Sequence, residues 1–462
     1  MNLHLLLLVG YSAALLALGL IVSRRVQSTS SFFVANRSLS AVLIFCTVLA
    51  ANIGAGSTVG ATGLAYRDGL SAWWWNGSAG IGSLLLAFWI GPRVWRQATR
   101  HGFLTTGDLI EHHFGPTVRG LVTGMLWCAT LSILAGQLIG IAWILNVVAG
   151  VPKWAGCVIG GGLLTTYFAA GGLLGAVWVN VVQLAVKLVG FAVALPFVLE
   201  GAGGVDGLMR AAPSAEFGSF WGGATSLSLV VLMVPAFMSS PGLLQKAFGA
   251  RSDRAVRAGI GVNAVMLMLF GFVPALLGMA ARMHHPGIAQ ELALPTLLVS
   301  DLPAAIGGLL LAAIFSAEVS AADAVLFMLS TSLSQDLYRR FINPAATDRR
   351  VLGVARLAAV AGGALGVGIA ILTPTIVSAL SVFYAMLGAT LLVPIMVAVH
   401  GGRDRRREVL ASIVAGAVAV VVVQLTVGNR AGTLWTPATV GLATALAVFA
   451  IATAAAAVVR RR

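Results

Sequence analysis

Residues 50–60 read AANIGAGSTVG and residues 234–242 read VPAFMSSPG, and each sits inside an otherwise apolar stretch. Glycine, proline and serine at mid-membrane depth weaken or break a helix, and lipid cannot satisfy the backbone groups that a break sets free. Such a break is tolerated where it lines a cavity enclosed by protein. Either segment alone would also fit close helix contact through small residues. Two of them, in corresponding positions of two helix sets, point to a carrier whose binding site lies where the breaks meet.

The composition around them sets the class. Of 462 residues, 59% are hydrophobic and only 10% are charged, with a mean hydropathy of +0.96. A soluble globular chain carries about 25% charged residues, so a soluble enzyme, a disordered protein and an ordinary secreted domain are excluded. Apolar runs of about 20 residues predict an all-α integral membrane protein. About thirteen transmembrane helices are expected on a hydropathy window, over 3–22, 40–66, 70–91, 120–148, 152–170, 174–199, 223–247, 258–281, 304–333, 355–373, 376–399, 409–427 and 437–457. The leading run 3–22 is followed, not preceded, by Arg24 and Arg25, which fits a retained helix better than a cleavable signal. Five spans fill 40–199 and begin with the first broken one; five fill 223–400 and begin with the second. An odd number reverses the side of entry, so the two sets are expected to be inverted repeats. One helix precedes them and two, within 409–457, follow, and residues 1–462 read as a single transporter domain.

The net charge of +14 and the pI of about 11.1 raise the question of a nucleic-acid partner. The position of the charge removes it. Arg24, Arg25 and Arg37, the groups Arg93–Arg119, Lys246–Arg257, Arg339–Arg356 and Arg403–Arg407, and Arg460–Arg462 all fall in segments on one side of the alternating topology. Only Arg67, Lys153, Arg210, Arg282 and Arg430 fall on the other, and Lys187 lies inside a span. This is the positive-inside bias; it predicts a multi-pass protein of the cell membrane with its N-terminus outside and its C-terminus cytoplasmic. Cys46, Cys128 and Cys157 lie in apolar stretches without paired spacing and read as small core residues.

Several stretches resemble the sodium/solute symporter family. AANIGAGSTVG followed by GLAY (63–66) is similar to its first core helix, and TTGDLIEHHFG (105–115) to the cytoplasmic loop after the second. TTYFAAGGLLGAVWVNVVQ (165–183) resembles the run into the fifth core helix, SPGLLQKAFGAR (240–251) the end of the sixth, and LAAIFSAEVSAADAVLFMLSTSLSQDLY (311–338) the eighth. The resemblance implies a leucine-transporter-like core of two inverted five-helix repeats. It also implies a sodium site formed by the carbonyls of Ala50, Ile53 and Ala313 and the hydroxyl of Ser316. The next position usually carries a second hydroxyl and here is Ala317. A carboxylate common in the fifth core helix is replaced by Asn180, and at the second sodium site Val319 offers no hydroxyl beside Ser320. One sodium ion is therefore the expectation.

Lys187, Glu318 and Asp323 are ionisable residues inside spans, each costing about 2.5–3.5 kcal/mol at a helix centre on insertion scales. Helical phase puts Lys187 on the face of Asn180 and Asp323 on the face of Ser316, with Glu318 on the far side. Two readings of Lys187 stand open: a buried pair with Glu318, or a substitute for a cation, or proton relay, at the weakened sodium site. Candidate solute-lining residues are Asn52, Ser57, Trp75, Asn76, Gln137, Phe237, Ser239 and Ser240. The run Trp73–Trp75 could equally mark a membrane interface. Asn76 stands where sugar-carrying relatives have a carboxylate, which argues against a sugar.

His112, His113, His284 and His285 are adjacent pairs that do not share a helix face and read as solvated. No nucleophile–base or phosphate-binding pattern supports catalysis. The leading expectation is a secondary-active symporter coupling sodium entry to uptake of a small organic solute, with the lipid bilayer and no obligatory protein as its partners. A proton-coupled or uncoupled carrier of the same fold, and a membrane sensor module without its own output domain, remain as alternatives.

Overall fold

The computed structural model describes residues 5–11, 13–14, 37–401, 405–428 and 432–461, without the side chains of 167, 169–181 and 459–461. The described residues are helical throughout, with one isolated bridge between Leu39 and Ala250. The principal helices are α1 (Ala41–Asn52), α2 (Ala61–Asp68), α3 (Trp73–Leu85), α4 (Gly91–His101), α5 (Thr106–Phe114), α6 (Pro116–Ala149) and α7 (Lys153–Gly201). They continue as α8 (Ala224–Ser239), α9 (Pro241–Phe248), α10 (Asp253–Phe270), α11 (Phe272–His284), α12 (Ala304–Thr331), α13 (Asp348–Leu372), α14 (Ile376–Val399), α15 (Arg406–Thr426) and α16 (Pro437–Arg461).

Both expected breaks are present. α1 ends at Asn52, Ile53 leaves helical geometry (φ −88°, ψ 85°), and a single π turn at Gly56–Gly60 leads into α2. The helix before the break and the run after it are bent by 62°. α8 ends at Ser239, Ser240 is extended in ψ (119°), and Pro241 opens α9 at a position where its missing N–H is harmless. The turn from α2 to α3 depends on Gly69, whose φ is +69° and whose absent Cβ would lie 1.8 Å from the Phe217 carbonyl oxygen. No other residue fits there.

α12 is buried along nearly its whole length and packs against α1, α6, α7 and α13, whereas α16 faces outward over most of its surface. The polar residues Ser316, Glu318, Ser320 and Asp323 of α12 are all buried by these neighbours, which lipid could not have satisfied. α1 packs against α10 and α7, α8 against α3 and α14, and the trailing pair α15 and α16 against each other and α14.

Among the described residues 9 helices are long and apolar enough to cross a membrane, or 10 with the bent pair counted as one. The difference from the expected thirteen has local causes. Most of 3–22 lies outside the described residues. The spans 40–66 and 70–91 form one bent unit that runs on to His101. Spans 152–170 and 174–199 form one helical run, Lys153–Gly201, of 49 residues. At 1.5 Å per residue that is about 74 Å, more than twice a hydrocarbon core. Its first part packs beside Ile141 and Val367, and its second meets α12 where a Cβ on Gly190 would lie 2.5 Å from that of Ala313.

Candidate functional site

The break after α1 frees backbone groups that neighbouring helices take up. Gln137 of α6 accepts a hydrogen bond from the Ala55 N–H at 2.8 Å. Ser57 Oγ donates to the Asn52 carbonyl at 2.6 Å, and Thr58 Oγ1 to the Gly54 carbonyl at 3.0 Å. α12 and α6 approach the break so closely that a Cβ on Gly54 would lie 2.3 Å from the Ala321 Cβ and 2.7 Å from Gln137 Oε1.

The carbonyls of Ala50 and Ile53 face Lys187. Its Nζ donates to the Ala50 oxygen at 2.6 Å, to the Ile53 oxygen at 3.0 Å, and to Ser320 Oγ. Ser320 Oγ lies 2.8 Å from the Ala50 oxygen and 3.2 Å from the Ala317 oxygen, either of which its proton can reach. Lys187 and Ser320 are fully buried. Ser316, one turn before Ser320, donates instead to the Gln183 carbonyl of α7 at 3.3 Å, and Ala313 sits at the close contact with Gly190. The donor set is carbonyl and hydroxyl oxygen, the chemistry a sodium ion takes at an unwound helix, but the lysine head stands among those oxygens.

Among the described residues no ion pair joins Lys187 to Glu318. The paired reading of these two residues is therefore corrected. Glu318 turns to the other side of α12, where its Oε1 lies 3.1 Å from Thr58 Oγ1, whose one proton can reach either it or the Gly54 carbonyl, and its carboxyl lies against Gly140. Asn180 lies in the stretch whose side chains are outside the described residues.

A cavity opens beside both breaks. Asn52, Ser57, Gln137, Phe237 and Ser240 line it, together with Asp323 of α12. Asn52 Nδ2 also donates to Asn263 Oδ1 at 3.2 Å. The other expected lining residues stand behind the wall. Asn76 Nδ2 donates to the Ser57 carbonyl at 3.2 Å, Ser239 Oγ to the Pro235 carbonyl at 2.7 Å, and Trp75 packs edge-on to Tyr384. The tryptophan run divides: Trp73 and Trp74 donate to the carbonyls of Met268 and Phe220 in an aromatic cluster with Trp221 and Phe272, apart from the buried Trp75.

The cavity wall also holds Leu380, Phe383 and Tyr384 of α14 and Gln245 and Lys246 of α9, which the sequence reading did not single out. Lys246 Nζ donates to the Thr47 carbonyl at 2.8 Å. An aromatic pair in an unbroken apolar helix carries no local mark that separates a cavity wall from core. The lysine was legible as the basic end of α9 and was assigned to topology.

At one end of the molecule Arg119 gathers three carboxylates: Asp108 at 2.9 Å, Glu111 at 2.8 Å and Asp336 at 2.5 Å. Thr105 Oγ1 donates to Asp336 and caps α5 in a reciprocal box with Asp108. Burial would raise the Glu111 carboxyl, but hydrogen bonds from Arg340 and Arg119 outweigh it and hold the group below its ordinary value. At a separate position His284 and His285 both meet Asp301, at 2.5 and 2.6 Å.

Comparison with known proteins agrees with this architecture. The chain matches the sequence model described as "Sodium:solute symporter family" over residues 32–416. It is 26% identical over 449 residues to the sodium/pantothenate symporter of Escherichia coli, covering 89% of this chain and 88% of that one. It is 23% identical over 427 residues to the high-affinity proline transporter PutP of Bacillus subtilis, covering 88% and 89%. A solved Na+-coupled sialic acid symporter, substrate-bound and outward-open, superposes with a TM-score of 0.83 at 18% identity, covering 98% and 97% of the two chains.

Proposed function

Because the chain belongs to the sodium:solute symporter family, we propose that it takes up a small organic solute together with sodium by alternating access around the cavity beside the two breaks. It is a transporter, not an enzyme. The observation that carries the reading is the meeting of both broken helices at one cavity, whose wall mixes a few polar groups (Asn52, Ser57, Gln137, Ser240) with aromatic ones (Phe237, Tyr384). Small-molecule sites are built in this way.

In this reading residues 40–199 and 223–400 are the two inverted repeats that rock against each other. The helix at 3–22 precedes them, two helices within 409–457 follow, and the basic residues gathered on one side place the N-terminus outside and the C-terminus in the cytoplasm. The carbonyls of Ala50, Ile53 and Ala313 and the hydroxyl of Ser316 form the ion ligand set, the ligand absent at Ala317 is lost or replaced by water, and one sodium is moved per cycle. An ion crossing 100 mV releases about 2.3 kcal/mol, which is roughly fifty-fold accumulation of solute at 1.4 kcal/mol per decade. Pantothenate and proline, named for relatives, are the first solutes to try.

A thermal-shift screen of the purified chain against a solute library, with and without sodium, tests the proposal. A solute at 100 times its dissociation constant stabilises by about 2.7 kcal/mol. The expected hit shifts the transition more in sodium than in choline, and the same solute then accumulates in proteoliposomes under an inward sodium gradient. No accumulation under any cation gradient would refute carrier function.

A further inference from the structure

We propose that the side chain of Lys187 is a tethered cation filling the ion cage at the end of α1, so that sodium reaches this cage only by displacing it. The inference rests on the proposed role of Ala50 and Ile53 as ion ligands and deepens it. The hydrogen-bond geometry fits the ammonium form of the lysine. The oxygens of Ala50 and Ile53 can only accept, and the proton of Ser320 Oγ has its own carbonyl acceptors at Ala50 and Ala317. Nζ stands within hydrogen-bond distance of three oxygens. An ammonium has three hydrogens, one for each of them, and this is the form the cage suits.

The fold explains how a lysine of α7 reaches there. Gly190, one turn further along α7, lets that helix close onto Ala313 of α12. This brings the buried Lys187 to Ser320, on the face of α12 that also carries Ser316, and against the break in α1. The other charged groups of the neighbouring helices make their hydrogen bonds elsewhere, Glu318 near Thr58 and Lys246 to Thr47, and act on Lys187 only through space, Glu318 and Asp323 attracting it and Lys246 repelling it. Asp323 faces the cavity. A sodium ion bound to the Ala50 and Ile53 carbonyls would need the volume that Nζ fills. It would also place a second positive charge within one hydrogen-bond length of the first. The two cations are mutually exclusive in this cage.

The test is binding of 22Na+ to the purified full chain, with melting temperature followed in sodium chloride and in choline chloride of equal ionic strength. Lys187→Ala is expected to bind sodium at least tenfold more tightly than the wild type, and to melt higher in sodium than in choline. Lys187→Ser, which leaves room and adds an oxygen, repeats the measurement where the alanine variant does not fold. Should neither variant fold, the wild type decides: tight saturable sodium binding, or no binding at any concentration, overturns the proposal, and weak binding that saturates only at high sodium supports it. Equal or tighter binding by the wild type overturns it as well. So does a failure of wild type and folded variants alike to bind sodium, which would show that the cage is no ion site; the solute screen above then still decides carrier function independently.

Discussion

Replacing Arg119 by alanine should cost more stability than any single change at the cavity. The guanidinium is only 7% exposed and serves three carboxylates, of which Asp336 is equally buried. Its loss does not fall evenly on them. Asp108 keeps the N–H groups of Leu104 and Thr105 at 2.7 and 3.0 Å, and Glu111 keeps Arg340. Asp336 keeps the Thr105 hydroxyl alone. Breaking a buried pair from one side costs about 3–5 kcal/mol, because the other charge is left uncompensated. With two of three acceptors still served, the lower end of that range, about 3 kcal/mol, is the expected value.

Thermal or denaturant unfolding of the purified chain measures it. Arg119→Lys keeps the charge but not the planar fork that spans several carboxylates, and should recover only part of the loss. Asp336→Asn in the alanine background removes the stranded charge and should recover at least about 1 kcal/mol, the signature of coupling in a double-mutant cycle. A loss below about 1 kcal/mol for Arg119→Ala, or no recovery on adding Asp336→Asn, would refute the claim that this buried charge balance holds α5, α6 and the end of α12 together.

Gln137→Ala strands the buried Ala55 N–H and should destabilise by about 1–3 kcal/mol, whereas Gln137→Glu keeps an acceptor and should cost less; paired unfolding curves separate them. Gly54→Ala puts a Cβ 2.3 Å from that of Ala321 and should cost about 1–3 kcal/mol through overpacking, with loss of the solute-induced thermal shift as the functional check. Because Glu111 is held below its unfolded value, the stability it contributes is present above about pH 4.3 and is lost as the pH falls through the folded value. An acid-side decrease in melting temperature that shrinks in Glu111→Gln is the expected result.

What could be read in advance follows from how far each signal travels along the chain. The two breaks were legible because glycine, serine and proline act on their own backbone, and Ser40 or the Thr105–Asp108 box acts within one turn. Gln137 was legible as an amide in an apolar helix, although its partner, the Ala55 N–H, was not. Residues 153–201 were divided in two because composition suggests where a bilayer ends, whereas helical hydrogen bonding continues through the GG pair at 171–172. Phe383 and Tyr384 were missed for another reason. The aromatic pair itself is indistinguishable from core in the sequence, and only the placement of its helix against the two breaks turns it into cavity wall.

Lys187 lies between these cases, and its neighbours explain why. Helical phase gave its face on α7 but not the helix opposite, since its partners stand more than 130 positions away in sequence. Ser316 and Ser320 share one face of α12, a turn apart, and the outcome turns on which of them meets α1. Here Ser316 is taken by the Gln183 carbonyl of α7 and Ser320 by the Ala50 carbonyl. The hydroxyl missing at Ala317 then leaves no acceptor short, because an ammonium needs three and finds three. A lysine at 187, an alanine at 317 and a serine at 320 form a mutually consistent set around a cation carried by the chain itself. Any one alone would look like a defect in a sodium site.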